Sequence, residues 1–332
     1  MRNCKYGKSG AKNLMFLSFL MVSWANILGQ QLPVFSNFSS GDYYRNPAAL
    51  LIPKFDDFQI FYSNSATGFE DAPVTYMVGY SHLFKTNSYT GPSYSLTNQY
   101  VATAKNAIGG YLIYDRYGFM EQIAAQANYA QSFKIDRYSV MIMGLSMGIF
   151  NYNIDFSKLT VKDKSDQTYT QYLNQRENFT FFDANFGLIY RYKNYKAELS
   201  LKQFLRDNAI LSNQEFYGDL YSTVFGAASA KFKLSNDFDY YPELFYTRTG
   251  NLPYWIGTKQ HFVYNDRWLG GVMYNHSRNA GIELGMIYQQ FVIQYAFMLN
   301  VGQFNVLGMT NHGIVLRYSL NPRKDGRFED YF

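Results

Sequence analysis

The sequence predicts an all-β protein, and more narrowly a transmembrane outer-membrane β-barrel of about 14 antiparallel strands. Three observations predict it. Aromatic residues make up 19% of the 332 residues and charged residues only 17%, which is unlike disordered chains and long coiled coils. The mean hydropathy of -0.27 is too low for a bundle of membrane-spanning helices. Period-two alternation of apolar and polar residues recurs along nearly the whole chain, as in strands with two unlike faces.

The first 29 residues have the pattern of a secretory signal peptide. A basic start without acidic residues precedes an apolar run over 14–24, which is too short to span a membrane. Small residues at Ala25 and Gly29 offer two cleavage points, and we favour Gly29. The basic residues of the start are Arg2, Lys5, Lys8 and Lys12.

Cleavage changes the charge and the cysteine content of the chain. Four of the 30 Lys and Arg precede residue 30, which leaves 26 cations against 25 Asp and Glu. This balance predicts no nucleic-acid partner, because such partners require a concentrated basic surface. The single cysteine, Cys4, also lies in the signal peptide. The mature chain is therefore expected to have no disulfide and no thiolate metal site.

Residues 30–56 form an N-terminal segment that Gly and Pro residues interrupt too often for a strand. Its Asn46-Pro47-Ala48 sequence lies near the middle. Two interpretations remain open for this segment. It plugs the lumen or lines the periplasmic entrance of the barrel, or it is a simple leader into the first strand.

The barrel itself is assigned to residues 57–320. Many of its alternating runs reach the length of about ten residues that a tilted strand needs to cross a bilayer. The predicted strands are 57–65, 73–85, 105–116, 119–134, 137–153, 177–193, 195–206, 223–235, 238–248, 255–266, 268–276, 279–287, 290–299 and 311–319.

Connection lengths support the same topology. Outer-membrane barrels have short periplasmic turns and longer external loops, and here the two kinds largely alternate from the fourth strand onward. Segment 86–104 departs from this rule, because it is long although its place in the order is periplasmic. Either it forms a periplasmic insertion, or residues 92–104 contain further strands. The short turns fall at 134–137, 193–194, 235–237, 265–266 and 289–290, and the long loops at 154–176, 207–222 and 300–310.

The last strand ends in a pattern, 311–318, that is similar to the signal by which the barrel-assembly machinery recognises a closing strand. A polar, charged tail follows at 321–332, and charged residues do not cross lipid without cost. We therefore expect the tail to lie in the periplasm.

No catalytic, cofactor-binding or metal site is predicted. The four histidines, His82, His261, His276 and His312, have no metal-ligand spacing, and no nucleophile elbow or phosphate-binding loop occurs. The acidic pair Asp56-Asp57 is interpreted as part of a solvated rim. The chain is therefore expected not to be an enzyme.

The loop 154–176 is the best candidate for partner binding, because long loops on a rigid scaffold are where binding usually resides. It is polar and of mixed charge, and the alternative is that it only shields the barrel mouth. Its candidate binding residues are Asp155, Lys158, Lys162 and Lys164.

Aromatic residues are concentrated near the predicted strand ends. An aromatic ring with a polar edge suits the headgroup level of a membrane, so these residues are expected to form interface girdles. The residues concerned are Phe58, Tyr62, Tyr80, Phe84, Tyr114, Tyr117, Tyr190, Tyr192, Tyr241 and Phe245.

Several short motifs, in their order along the chain, resemble those of the PorP/SprF family of the type IX secretion and gliding system. Each motif alone is weak, but together they extend over nearly the whole mature chain. The motif residues are the Gln31–Ser36 opening, Asn46, Pro47 and Ala48, Pro73, Asp115 and Gly118 of a hairpin, Tyr129, Trp268 and Gly270, and His312.

The resemblance implies a non-enzymatic outer-membrane barrel that contacts membrane lipid. Such proteins hold the C-terminal domain of a secreted surface adhesin at the cell surface, and they contact type IX secretion and gliding components in the periplasm and outer membrane. The alternative function, from a different class, is an outer-membrane channel or solute transporter. A channel requires an open polar lumen, whereas an anchor tolerates a filled one.

Overall fold

The computed structural model describes residues 42–53, 55–67, 71–84, 105–158, 176–205, 221–276, 279–300 and 310–320, all within the compact unit Leu32–Phe332. The expected signal peptide, segment 86–104 and tail 321–332 lie outside these residues. No helix in the described part is both long and apolar enough to cross a membrane.

A short α-helix, α1 (Asp42–Arg45), and a 3-10 helix (Pro47–Leu51) precede the strands. A second short 3-10 helix, Phe156–Lys158, follows the fifth strand. The strands are β1 (Asp56–Asn64), β2 (Val74–Phe84), β3 (Asn106–Tyr117), β4 (Met120–Lys134), β5 (Ser139–Asp155), β6 (Arg176–Tyr192), β7 (Tyr195–Lys202), β8 (Thr223–Ala230), β9 (Phe232–Lys233), β10 (Phe238–Thr249), β11 (Trp255–Tyr264), β12 (Trp268–Asn275), β13 (Asn279–Tyr288), β14 (Phe291–Asn300) and β15 (Thr310–Leu320).

The strands form one closed antiparallel sheet. Strands that follow one another in the chain pair with each other, except that β8 and the short β9 both pair with β10. β1 also pairs with β15 along its full length, from Asp56 opposite Leu320 to Asn64 opposite His312. β10 pairs with β11 and completes the ring. A closed sheet leaves no unpaired edge, which is what a β structure in lipid requires. The prediction of an antiparallel β-barrel is confirmed.

The short strand β9 continues β8 and is not an additional barrel strand. Ser229 lies opposite Glu243 and Phe232 opposite Tyr240, so the register is unchanged across the break. The same register places Pro242 at the interruption. Because proline has no backbone N–H, the hydrogen-bonded ladder is interrupted there. Counted together, β8 and β9 give the predicted fourteen strands.

The two ends of the barrel have different connections. We call the end where β1 begins and β15 ends the terminal end. Most connections there are short, such as the turn at Asn265-Asp266, where both residues have positive φ, 52° and 55°. A tight two-residue hairpin needs this conformation, and Asn and Asp adopt it readily. The longest connections that we predicted outside the barrel, after β5 and after β7, lie at the opposite end.

The outward face of the barrel carries the apolar residues that alternation predicts. Leu112 is 60% exposed and Leu284 is 56% exposed, which places large apolar side chains where lipid tails would cover them. Aromatic pairs surround the terminal end. These include Phe238 with Tyr264, Tyr240 with Phe262, and Phe291 with Tyr318, with ring centroids 4.8, 4.9 and 5.0 Å apart.

Two of the aromatic residues expected in the girdles face inward instead. Phe245 is only 7% exposed, and Tyr241 packs against the buried Val263 and its neighbours. Both lie at odd-numbered positions of β10, where the side chains point into the lumen. The expectation used closeness to a strand end alone, and strand parity decides which side of the wall a ring occupies.

Candidate functional site

The lumen contains a described part of the N-terminal segment. Residues 42–53, which we call the inner segment, lie against the inner faces of β3, β4, β5 and β6. Ala48 and Leu50 are fully buried, and Ile52 is 2% exposed. The Asn46 side chain accepts a hydrogen bond from the Ala48 N–H at 3.0 Å and so caps the 3-10 helix, which Pro47 begins.

Two glycines on the wall let the inner segment approach the strands closely. A Cβ at Gly144 of β5 would overlap the backbone of Pro47 and Ala48, and a Cβ at Gly187 of β6 would overlap the Asn46 side chain. Gly144 and Gly187 are paired in register. The inner segment therefore packs directly on the wall at Gly144 and Gly187, and any larger residue at these two positions would force the segment to move.

A cluster of charged residues ties the inner segment to the opposite wall. We call Arg45, Lys196, Glu198, Glu243 and Lys259 the lumen ion cluster. The Arg45 guanidinium lies 4.0 Å from the Glu198 carboxylate and 3.8 Å from that of Glu243. Lys196 contacts Glu198 at 2.5 Å, and Lys259 contacts Glu243 at 3.4 Å.

The charged side chains of the lumen ion cluster are largely buried, so each of them needs an oppositely charged partner. Arg45 is 4% exposed and Lys259 is 1% exposed, and a buried charge is tolerated only when it is paired. The Arg45 guanidinium also lies over the Phe225 ring, 4.4 Å from its centroid. The Ser200 hydroxyl donates to the Arg45 carbonyl at 2.8 Å. Arg45 is thus held by its charge, its ring contact and its backbone.

One further ion pair and one His–Glu hydrogen bond lie on the inner wall. Arg317 contacts Asp57 at 2.7 Å, and His261 contacts Glu283 at 3.0 Å. Asp57 is 1% exposed, so the interpretation of Asp56-Asp57 as a solvated rim was wrong for Asp57. The sequence shows only that the two acids are adjacent, and adjacent strand residues point to opposite faces.

Polar residues also fix the tyrosines of the inner segment and the wall beside them. The Gln126 side-chain oxygen accepts hydrogen bonds from Tyr111 at 2.5 Å and from Ser146 at 2.5 Å. The Lys202 ammonium lies 3.3 Å from the centroid of the Tyr44 ring. Burial raises the pKa of the Tyr43 hydroxyl and of the Tyr44 hydroxyl, so both stay protonated at neutral pH.

A layer of apolar side chains also lines the inner wall, on β1 to β3 and on β5 and β6. Phe61, Met77 and Ile113 are cross-strand neighbours on β1, β2 and β3. Phe150 and Phe181 continue the layer on β5 and β6 with their rings stacked 5.7 Å apart. All five side chains are at most 6% exposed. The described wall on this side of the lumen is therefore packed.

The family-motif residues in the hairpins have local structural contacts. The Pro73 carbonyl accepts the Ser65 N–H at 2.8 Å. The Thr75 hydroxyl donates to the Asp115 carboxylate at 2.7 Å across β2 and β3. Gly118 has φ +61°, a backbone conformation that favours glycine. These three motif residues shape turns at the end opposite the terminal end.

The Gln31–Ser36 opening lies outside the described residues, and the remaining described family-motif residues lie on the outward face. Tyr129 is 44% exposed and Trp268 is 54% exposed. Gly270 is two residues after Trp268, and a Cβ there would meet nothing within 4 Å. His312 lies 2.7 Å from the Tyr295 hydroxyl. The structure does not bring these residues together with Asn46, Pro47 and Ala48, which lie inside the barrel.

Two of the four candidate partner-binding residues lie in the described part of the chain. Asp155 is 8% exposed and accepts hydrogen bonds from the Ser157 N–H at 3.1 Å and hydroxyl at 2.5 Å, so it shapes the start of the loop. Lys158 is exposed and contacts Glu121 at 3.4 Å. Lys162 and Lys164 lie outside the described residues.

Within the described ranges, no group of three or more His, Cys, Asp or Glu side chains is arranged to hold a metal. His82 contacts Asp56 at the terminal end, and His276 stacks on Tyr254 at the opposite end. The expectation that the chain is not an enzyme stays a prediction. What the lumen can do chemically is retain the inner segment through ion pairs and close packing.

Solved structures with a similar fold are bacterial membrane transporters and channels. The toluene transporter TodX of P. putida is 8% identical, with 84% of this chain and 93% of TodX covered and a TM-score of 0.48. The CymD monoaromatic hydrocarbon channel is 10% identical, with coverages of 86% and 94% and a TM-score of 0.49. A FadL homologue of Pseudomonas aeruginosa is 9% identical, with coverages of 85% and 94% and a TM-score of 0.48.

Sequence comparison identifies the family. No curated protein is significantly similar to the chain over its sequence. The sequence model of one family, described as type IX secretion system membrane protein PorP/SprF, matches residues 27–318. This match includes the inner segment and nearly all of the barrel, and it agrees with a closed sheet whose outward face is apolar. The chain therefore belongs to the PorP/SprF family of type IX secretion system membrane proteins and is an outer-membrane β-barrel.

Proposed function

We propose that this barrel holds the C-terminal domain of a secreted surface adhesin at the cell surface and links it to periplasmic components of the type IX secretion and gliding system. The barrel has no catalytic role in this proposal. The terminal end faces the periplasm, and the opposite end faces outward. Membership of the family supports the connection with type IX secretion.

The inner segment inside the lumen is the observation that carries the proposal. The inner segment lies against β3 to β6, and the lumen ion cluster joins it to β7, β10 and β11. A scaffold that positions loops needs a rigid barrel and no open passage. In this account the inner segment acts as a plug, and the packing that closes the lumen also stiffens the wall.

The distribution of connections supports an outward binding surface. The connections after β5 and β7 are long and lie at the same end, where the strands extend to Asp155 and Lys202. Binding residues are commonly placed on long loops of this kind. Exposed lysines such as Lys158 suit an acidic surface on the adhesin domain.

The test is to purify the barrel from native outer membranes and quantify the adhesin that accompanies it by mass spectrometry. A variant with Lys158, Lys162 and Lys164 changed to Glu is compared with the wild type. We expect adhesin recovery to fall at least about tenfold, because like charges across an interface repel.

A matched control changes three lysines at the terminal end to Glu. Equal loss of adhesin in the control would show a general effect of charge, and wild-type barrel that brings no adhesin would contradict the proposal. The control lysines, all exposed, are Lys105, Lys134 and Lys233.

The alternative function, a channel or solute transporter, requires passage through the lumen. The lumen ion cluster is polar enough to suit solutes, but the inner segment and the apolar layer on β1 to β6 occupy the described space. A channel function would therefore require the inner segment to leave. Solute flux through reconstituted protein separates the two functions, as described at the end of the Discussion.

A further inference from the structure

Two neighbouring turns at the terminal end bring cations and tyrosine rings together on the outside of the barrel. The Lys193 ammonium lies 5.1 Å from the centroid of the Tyr138 ring and 5.2 Å from that of Tyr192. The Arg137 guanidinium lies 5.9 Å from the Tyr138 centroid. We call these four residues the basic–aromatic patch.

The backbone holds the patch in place. Tyr192 pairs with Ser139 at the start of β5, and the Lys193 N–H donates to the Tyr138 carbonyl at 3.0 Å. Lys193 has φ 52°, so the β6–β7 turn is tight. The two turns are therefore joined to each other, and the positions of the cations relative to the rings do not depend on flexible loops.

The patch is exposed and positively charged. Tyr138 is 38% exposed and Tyr192 is 40% exposed, and both cations are exposed as well. Asp136 is the acid in the same turn, and its carboxylate accepts the N–H groups of Tyr138 and Ser139 at 2.6 and 2.9 Å. Within the two turns, residues 135–138 and 193–194, one acid stands against two cations, so the turns carry a net positive charge.

The position of the patch is the headgroup level of a membrane. Tyr192 is the last outward-facing residue of β6, two residues after the lipid-facing Tyr190. Tyrosine rings at strand ends mark the membrane–water interface of a barrel. Lys and Arg near a girdle bury their stems against the rings and extend their charges to the polar layer. The turn at Gln289-Gln290 has no charge, so the terminal end is not uniformly basic.

We propose that the basic–aromatic patch binds the phosphate of an anionic phospholipid in the leaflet at the terminal end. Arg137 and Lys193 pair with the phosphodiester, since guanidinium and ammonium groups form strong charge-assisted hydrogen bonds to phosphate. The Tyr138 and Tyr192 hydroxyls are further donors, and their rings hold the cations in position. The site goes beyond the proposed anchoring function and does not depend on it.

The test uses native mass spectrometry of the full chain, purified as a folded barrel in detergent. The protein is mixed with equal amounts of dioleoyl phosphatidylglycerol and dioleoyl phosphatidylethanolamine. We expect the wild type to retain phosphatidylglycerol about tenfold better, since each basic residue contributes measurably to anionic-lipid binding. In the double variant Arg137→Gln, Lys193→Gln this preference should fall to near unity.

A charge-matched control distinguishes a site from general attraction. Lys233→Gln with Arg248→Gln removes two exposed cations at other places on the barrel and should leave the preference unchanged. Equal loss in both double variants would overturn the proposal, as would a wild type without preference. If the wild type shows no lipid preference and the patch variant loses a periplasmic protein, the patch binds a protein partner instead. The adhesin measurement is unaffected by any of these outcomes.

Discussion

Arg45 is the residue on which retention of the inner segment depends most. Among the described side chains of the inner segment, its guanidinium is the charged group that meets the carboxylates of the lumen ion cluster. Glu198 and Glu243 keep partners in Lys196 and Lys259 when Arg45 is removed, so the wall stays paired while the segment loses its attachment. Breaking a buried ion pair costs about 3–5 kcal/mol when the partner is left uncompensated, so the cost here is smaller because both carboxylates keep a lysine partner.

The first prediction follows from this position. In the variant Arg45→Gln, the inner segment should leave the wall more often. A cysteine introduced at the buried Ala49 reports this, because it reacts with a thiol reagent only when the segment moves. We expect labelling to accelerate about tenfold over the wild-type background, which corresponds to about 1.4 kcal/mol. Unchanged labelling would show that Arg45 does not hold the segment.

The control for this variant is Arg248→Gln. Arg248 is exposed near the end of β10 and donates to the Gly250 carbonyl at 3.2 Å. It carries the same charge but has no contact with the inner segment among the described interactions. Its removal should leave the labelling rate of the Ala49 cysteine as in the wild type.

The second prediction concerns space and not charge. Gly144→Ala places a methyl group where the backbone of Pro47 and Ala48 lies. Overpacking of this kind costs about 1–3 kcal/mol, so the barrel should unfold at lower guanidinium concentration. Gly270→Ala is the matched control, because its added methyl meets nothing within 4 Å. Equal midpoints for the two variants would contradict the packing described here.

At the scale of elements, the interruption between β8 and β9 has a single cause. Pro242 on β10 faces the break, and its missing N–H removes one ladder hydrogen bond. The strand before it also contains small residues, Gly226 to Ala230, which contribute little cross-strand packing. This seam is therefore the part of the wall that we expect to open first.

The third prediction restores the hydrogen bond. Pro242→Val supplies an N–H and a residue that favours strands. Hydrogen exchange of the amides around Ser229 to Phe232 should slow by about three- to tenfold, in line with a gain of about 1 kcal/mol per hydrogen bond. Exchange elsewhere, for example in β13, should not change. Faster exchange at the seam would mean that Pro242 is needed for the local geometry.

The inner segment is the element whose position the sequence left open. Alternation predicted each strand to within a few residues because burial on one face repeats every second residue. The inner segment has no such repeat, and its Gly and Pro residues indicate only that it is not a strand. Its place depends on Gly144 and Gly187, which lie far from it in the chain and have no distinguishing pattern of their own.

At the scale of the whole molecule, the sequence predicted the barrel, the strand count and the family, but not the contents of the lumen. Strand parity predicts that Lys196, Glu198 and Lys259 face the lumen. It does not predict which charged residue each of them contacts. Pairing across the lumen joins strands that are far apart in the chain. For the same reason, the burial of Asp57 against Arg317 could not be inferred from the acidic pair alone.

The central claim is that the barrel is a filled scaffold and not a conduit, and solute flux into liposomes tests it most directly. Reconstituted wild-type protein should admit no small sugar above the protein-free background, while a variant lacking residues 42–52 should admit it. The folded state of both is checked by the heat-dependent mobility of the barrel on gels. Rapid flux through the wild type, equal to that of the deletion variant, would contradict the account.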